Sequence, residues 1–179
     1  MTNWDPYSID HFRIEMDKWE IAQAIDVGGR RLVANLGRGD AKHYDRSRME
    51  SDLIAQPAAV LCEAAVAKWL GVYYDWSAWD SADHGRHRHR PDVGGFEVRR
   101  VRTSPNVAVR RRDFEKNVDI AAAYVDTDQL DHVLVFGWVP IEIGWEHGQP
   151  SHYDPEGTRL YPVAHMNPHI WETAHVLSE

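Results

Sequence analysis

The chain has 179 residues, of which 43% are hydrophobic and 27% charged. These values are ordinary for a soluble globular protein and predict one domain over residues 1–179 with a substantial core. No run approaches about 18 consecutive apolar residues, so neither a membrane-spanning helix nor a membrane partner is expected. The N-terminus lacks the pattern of a signal peptide. The sole cysteine, Cys62, excludes an internal disulfide and a multi-cysteine zinc site, and we expect a cytoplasmic location.

The first predicted elements are a strand and a long helix. Residues 11–16 alternate polar and apolar side chains, which is typical of a strand. Asp17, followed three residues later by Glu20, has the spacing of a capping box and predicts a helix over residues 18–36. Gly28-Gly29 is expected to weaken or bend this helix in its middle. Arg30 and Arg31 are interpreted as exposed helix arginines, although contact with a substrate phosphate is an alternative.

A second helix is predicted over residues 58–70, after a polar segment with a short helix near residues 45–54. Pro57 is placed near its beginning and Gly71 at its end. Apolar residues recur at i, i+3, i+4 and i+7, and Cys62 is assigned to the core. Glu63 lies at the edge of this apolar stripe with no charge partner one turn away. Its carboxylate therefore requires a metal ion, an arginine or a proton, unless it reaches water.

The segment over residues 72–90 is interpreted as a strand leading into a loop. His84, His87 and His89 in the loop lack the spacing of a helical zinc motif. A basic loop that contacts nucleic acid, a solvated loop and a metal site all remain open. Trp76 and Trp79 can stack on bases, although packing is the usual role of tryptophan.

Gly94-Gly95 lies between two short alternating runs, which predicts a two-residue hairpin turn. In that register Asp92 lies opposite Glu97, and both share a face with Arg99. Carboxylates at directly paired positions repel, so the pair requires a cation between them or a raised pKa. Hard divalent ions with oxygen ligands satisfy this requirement.

The remaining elements complete an alternation of helices and strands. Residues 106–109 are predicted to be a strand, and residues 132–139 a strand buried on both faces. The segment over residues 119–125 is ambiguous, because its alanines favour a helix and its β-branched and aromatic ends favour a strand. Further predictions are a strand at 141–145, an edge strand at 161–165 and a short helix near 168–177.

Positive charge is concentrated around the predicted hairpin. The net charge of the chain is −8, but residues 86–112 contain nine arginines and two carboxylates. Such a segment is expected either to hold phosphate groups of nucleic acid or to be a solvated charge run. The arginines assigned to nucleic-acid binding are Arg86, Arg88, Arg90, Arg100, Arg110, Arg111 and Arg112.

Pro91-Asp92, followed after four residues by Glu97-Val98-Arg99, resembles the signature of the PD-(D/E)XK nuclease superfamily, with arginine where most members have lysine. Residues 62–71 resemble the helix that carries an additional active-site glutamate in that superfamily, here Glu63. The resemblance extends over about residues 11–145 and is to a phage-type member. It implies an α/β fold with a restriction-endonuclease-like core, in which helices flank a central mixed sheet of four or five strands.

The resemblance implies hydrolysis of phosphodiester bonds, foremost in DNA, by an endonuclease or exonuclease acting in the host cytoplasm if the protein is encoded by a phage. A homodimer is left open. Asp92 and Glu97 would ligate Mg²⁺ or Mn²⁺, with the Val98 carbonyl as a further ligand, and Glu63 would hold a metal-bound water or a second ion. Arg99 would stabilise charge in the transition state without acting as a base.

Two alternatives to an enzyme remain. A non-catalytic domain of the same fold would bind nucleic acid or a protein, and Arg99 would neutralise both carboxylates in place of a metal ion. A structural or host-interaction protein would instead use its acidic, tryptophan-rich surface to contact another protein.

Overall fold

A four-stranded mixed sheet with strand order β1-β5-β4-β2 forms the centre of the protein. The computed structural model describes residues 4–35, 52–78 and 90–169. Strand β2 is parallel to β4, whereas the β4–β5 and β1–β5 pairs are antiparallel. The strands of this sheet are β1 (Phe12–Glu15), β2 (Phe96–Arg100), β4 (Asp119–Asp126) and β5 (Gln129–Val139).

A second, antiparallel sheet has the order β3-β7-β6, with β3 at Asn106–Arg110, β6 at Gln149–Pro150 and β7 at Thr158–Pro162. The helices are α1 (Lys18–Asn35), α2 (Asp52–Leu70) and α3 (Ile141–His147). Helices α1 and α2 pack on one face of the central sheet, and the second sheet packs on the other. The predicted α/β class with a mixed sheet is confirmed, but the large helices cover one face only.

Several predicted elements are confirmed at nearly their predicted positions: the strand at 11–16 as β1, the first helix as α1, the strand at 106–109 as β3 and the buried strand at 132–139 as part of β5. The ambiguous segment at 119–125 is strand β4. Its alanines Ala121 to Ala123 are fully buried between the two layers, so packing determines the outcome against helix propensity.

Helices α1 and α2 approach each other closely at Gly28. A Cβ atom on Gly28 would lie 2.5 Å from the backbone nitrogen of Pro57. Helix α1 is continuous through Gly28-Gly29, so the glycine pair does not break it, and Gly28 allows the close contact between the helices. Pro57 lies inside α2 rather than at its beginning, and Cys62 is buried in the core as predicted.

Helix α2 is also long and apolar enough to cross a membrane, as core helices of soluble proteins often are. In this fold its central residues, Val60 to Ala67, are buried against α1 and the central sheet. The expectation that no helix spans a membrane therefore stays a prediction.

Three strand predictions require correction. The segment at 141–145 is helix α3, which follows Pro140 and buries Ile141 and Gly144 at helical spacing. Residues 72–78 contain no strand. The edge strand predicted at 161–165 begins as the end of β7, which lies between β3 and β6, and continues as a 3-10 helix at Val163–His165. The helices predicted at 45–54 and 168–177 lie largely outside the described residues.

Candidate functional site

The predicted glycine turn is confirmed, but it does not open into a hairpin. Val93 N donates to Phe96 O at 3.0 Å and Phe96 N to Val93 O at 2.7 Å. Gly94 and Gly95 have φ values of 48° and 91°, as a tight turn of two residues requires. The pairing stops there, because Pro91 has no N–H to continue it, so the predicted strand on the Asp92 side is wrong.

The side chain of Asp92, rather than the backbone of a second strand, pairs with the outer edge of β2. Its Oδ2 accepts a hydrogen bond from Val98 N at 3.0 Å. Strand β2 is the outer strand of the sheet. Val101, three residues after Val98, donates its N–H to Ala123 O of β4. Since N–H groups alternate in direction along a strand, Val98 presents its N–H and carbonyl to the outer edge, where Asp92 lies.

Glu97 and Arg99 share one face of β2, as predicted, and that face is directed toward the second sheet. Arg99 Nη1 donates to Glu97 Oε1 at 2.8 Å, and Nη2 donates to Asp113 Oδ1 at 2.7 Å. Asp113 is fully buried and also accepts a hydrogen bond from Arg110 N. Arg99 therefore bridges Glu97 and Asp113, not the predicted pair of Glu97 and Asp92.

A lysine from another segment contacts the second oxygen of Glu97. Lys116 belongs to the 3-10 helix Arg111–Lys116, and its Nζ donates to Glu97 Oε2. It thus lies beside the glutamate of the motif, although the motif position itself holds Arg99. Lys68, on the same helix as Glu63, donates instead to the Glu15 carbonyl and to Glu20.

Glu63 is buried on α2 and is held by an arginine, one of the three partners that its environment required. Arg31 Nη1 and Nη2 donate to its two oxygens at 2.7 and 2.8 Å, and the Tyr74 hydroxyl donates to Oε2 at 2.6 Å. The prediction that Arg31 is exposed is wrong, whereas Arg30 is exposed and pairs with Asp26. Burial lowers the pKa of Arg31, but the charge of Glu63 and the hydrogen bonds to it outweigh this and raise the pKa.

Among the described residues, no cation is in direct contact with the carboxylate of Asp92. Burial, followed by the charges of Glu63 and Glu97, raises its pKa to about 7, although Arg99 and Lys116 act in the opposite direction. The three predicted acids are therefore within electrostatic range of one another. Over the described ranges, however, no three acidic, histidine or cysteine side chains are close enough to hold a metal ion.

Positive charge is in excess around Arg110. The charge of Arg99, then burial and the charge of Arg112, lower the pKa of Arg110 to about 10. Arg90, Arg111 and Arg112 are exposed, whereas Arg100 and Arg110 are half-buried. The predicted binding residues Arg86 and Arg88 lie outside the described residues, as do Trp79 and the three loop histidines.

The structure adds four residues to the site, Arg31, Tyr74, Asp113 and Lys116. Sequence spacing does not reveal them, because Arg31 lies 32 residues from Glu63 and Lys116 lies 19 residues from Glu97. Trp76 packs against Tyr74 and Trp19, which is the packing role expected of tryptophan. No protein-family model matches the chain, and no curated protein or solved structure is significantly similar to it.

Proposed function

We propose that this protein hydrolyses phosphodiester bonds in nucleic acid, foremost DNA, with Mg²⁺ or Mn²⁺ bound beside Asp92, in a domain with a restriction-endonuclease-like core. One observation carries the proposal. Asp92 is a carboxyl group that no cation of the described residues contacts, and burial together with two neighbouring carboxylates raises its pKa to about 7. A group perturbed in this way indicates a site that gains stability from a cation.

The donors around Asp92 are suited to a hard divalent ion. Carboxylate oxygens of Asp92 and Glu97 and the carbonyl of Val98, which is directed to the same edge of β2, are all oxygen ligands. Glu97 would have to release Lys116 or Arg99 to bind an ion, because both cations contact it. Both oxygens of Glu63 are occupied by Arg31 and Tyr74, so Glu63 acts in this proposal through its charge on Asp92 rather than as a ligand.

The ion, when bound, supplies an activated water and neutralises charge that develops on the phosphate. Arg99 is fixed by Glu97 and Asp113 and provides positive charge that cannot be lost at neutral pH. Lys116, placed beside Glu97, supplies the ammonium that the motif position lacks. The exposed guanidinium groups of Arg111 and Arg112 are available to backbone phosphates.

Calorimetry and cleavage together test the proposal. Titration of Mn²⁺ into the wild-type protein should release heat of binding that Asp92→Ala abolishes, and Asp128→Asn, an exposed carboxylate in the β4–β5 turn, provides a matched control. A panel of single-stranded, duplex and branched DNA, and RNA, with Mg²⁺, Mn²⁺ or chelator, should show metal-dependent cleavage that Asp92→Ala and Glu97→Ala remove without unfolding the protein. Cleavage at the wild-type rate in both variants would refute the site.

A second candidate is a non-catalytic binding domain, favoured by the ion pairs that occupy Glu63 and Glu97. In that case the carboxylates serve to fix Arg31, Arg99 and Lys116, and Asp92 is satisfied by a proton. The same calorimetry separates the candidates, because a binding domain of this kind takes up no Mn²⁺ at any concentration while its affinity for nucleic acid or for a protein partner persists.

A further inference from the structure

An open groove lies beside the 3-10 helix that carries Lys116. Its volume is about 730 Å³, within the range of sites for small ligands, and it is lined by Arg111, Phe114, Trp145, Pro155, Glu156 and Arg159. None of the three predicted acids lines it. The groove is therefore a surface distinct from the carboxylate site but connected to it through one short helix.

The periodicity of that helix explains the connection. A 3-10 helix has three residues per turn, so residues i and i+3 lie on the same face. Asp113 and Lys116 lie on one face and contact Arg99 and Glu97. Arg111 and Phe114 lie on the second face and line the groove. The third face, with Arg112 and Glu115, is exposed.

The groove presents aromatic and guanidinium surfaces that are suited to stacking. Phe114 is 39% exposed and contacts the Trp145 ring edge to face, with centroids 5.7 Å apart and an interplanar angle of 86°. The Arg159 guanidinium lies over the Trp145 ring, 5.3 Å from its centroid. Flat surfaces of this kind stack on nucleobases of any sequence.

We infer that this groove binds an unstacked base of single-stranded nucleic acid, with the phosphate beside it held by Arg111. The two arginines of the groove outnumber its single carboxylate, Glu156, so its charge suits a polyanion. A strand held in the groove passes next to the helix that bears Lys116. The role of the groove in catalysis therefore rests on the proposed function. The stacking itself requires no metal ion.

Fluorescence anisotropy in the presence of chelator tests the inference without cleavage. The probes are labelled oligo-dT and oligo-U of about 15 nucleotides and an abasic backbone of equal length. Wild-type protein should bind the base-containing strands more tightly than the abasic one. Phe114→Ala should weaken binding of the base-containing strands about 5- to 150-fold and leave the abasic strand unaffected.

Three further variants distinguish stacking from charge and from folding. Glu115→Ala changes the exposed face of the same helix and should bind as wild type does. Arg111→Ala should weaken all strands by a similar factor, because it removes a phosphate contact. Phe114→Leu keeps an apolar side chain without the aromatic face and should lose affinity nearly as Phe114→Ala does, which separates stacking from folding.

The inference is overturned if wild-type protein does not prefer base-containing strands, or if Phe114→Ala binds them as tightly as wild type. Loss of affinity for base-containing and abasic strands alike in Phe114→Ala would also overturn it. If the stacking signature holds and no cleavage occurs with Mn²⁺, the groove is a binding site and the proposed hydrolysis is wrong. Metal-dependent cleavage with no effect of Phe114→Ala on binding would instead support the hydrolysis and overturn base stacking in the groove.

Discussion

Replacing Asp92 by asparagine tests the electrostatic reasoning most directly. Asparagine has nearly the same shape and retains an oxygen that can accept the hydrogen bond from Val98 N. It removes the charge that the folded protein disfavours, because burial and the charges of Glu63 and Glu97 raise the pKa of Asp92 from 3.8 to about 7. A carboxyl group whose pKa is raised by folding stabilises the folded state while it is protonated. Its contribution to the free energy of unfolding is therefore complete below about pH 4 and is lost as the pH rises to about 7.

This pH range sets the size of the expected change in the free energy of unfolding. Each unit of pKa shift corresponds to about 1.4 kcal/mol, so the free energy of unfolding should fall by roughly 2–3 kcal/mol between pH 5 and pH 8 through Asp92 alone. Other groups titrate in the same range, and the relevant quantity is therefore the difference between wild type and Asp92→Asn. That difference should move by about 2–3 kcal/mol in favour of the variant.

Urea unfolding at pH 5 and pH 8, in chelator, measures the difference. Any fixed cost of the asparagine cancels between the two pH values, and Asp128→Asn provides an exposed carboxylate for comparison. A difference that changes by less than about 0.5 kcal/mol would show that Asp92 is already ionised at pH 5 in the folded state. Asp92 would then not be an uncompensated carboxylate at this edge of β2.

Further predictions concern the supports of the site. Arg31→Ala should lower the free energy of unfolding in urea by about 3–5 kcal/mol, because it leaves the Glu63 carboxylate buried without its cation. If the double variant Arg31→Ala/Glu63→Gln lost as much free energy as the two single variants together, this would be contradicted. Gly28→Ala should destabilise by about 1–3 kcal/mol through its clash with the facing helix, whereas Gly29→Ala, whose Cβ meets nothing within 4 Å, should be neutral or stabilise by up to about 1 kcal/mol. Equal melting temperatures for the two alanine variants would exclude the close approach. Lys116→Met should tighten Mn²⁺ binding about tenfold in calorimetry, because the Glu97 carboxylate loses a competing cation. Unchanged affinity would argue against an ion at Glu97.

Local patterns predicted the parts of the fold that depend on neighbouring residues. Alternation identified β1, the apolar run identified β5, and the glycine pair identified the turn before β2. The errors arise where a long-range contact determines the outcome. The isoleucine and tryptophan side chains of residues 141–145 alternate as in a strand, yet Pro140 ends β5 and Gly144 fits against Val109 of the second sheet, so the segment is helical.

The site follows the same rule. The contact of Glu97 with Arg99, two residues apart, was predictable because alternate side chains of a strand share a face. The surroundings of Glu63 required a partner, but nothing local distinguished Arg31 from its exposed neighbour Arg30. Packing of α1 on α2 makes that choice, since it brings one of two adjacent arginines into the interior.

Direct contacts pair only part of the charge in this cluster. Direct contacts cancel within it, since Arg31 neutralises Glu63, while Arg99 and Lys116 neutralise Glu97 and Asp113. Among the described residues, the charges left over are the carboxylate of Asp92 and the guanidinium of Arg110, each with a pKa shifted toward its neutral form. A purely structural network would pair these opposite charges, because burying them apart costs free energy. In the proposed function, a metal ion would supply the cation that Asp92 lacks, and a phosphodiester would supply the anion that Arg110 lacks.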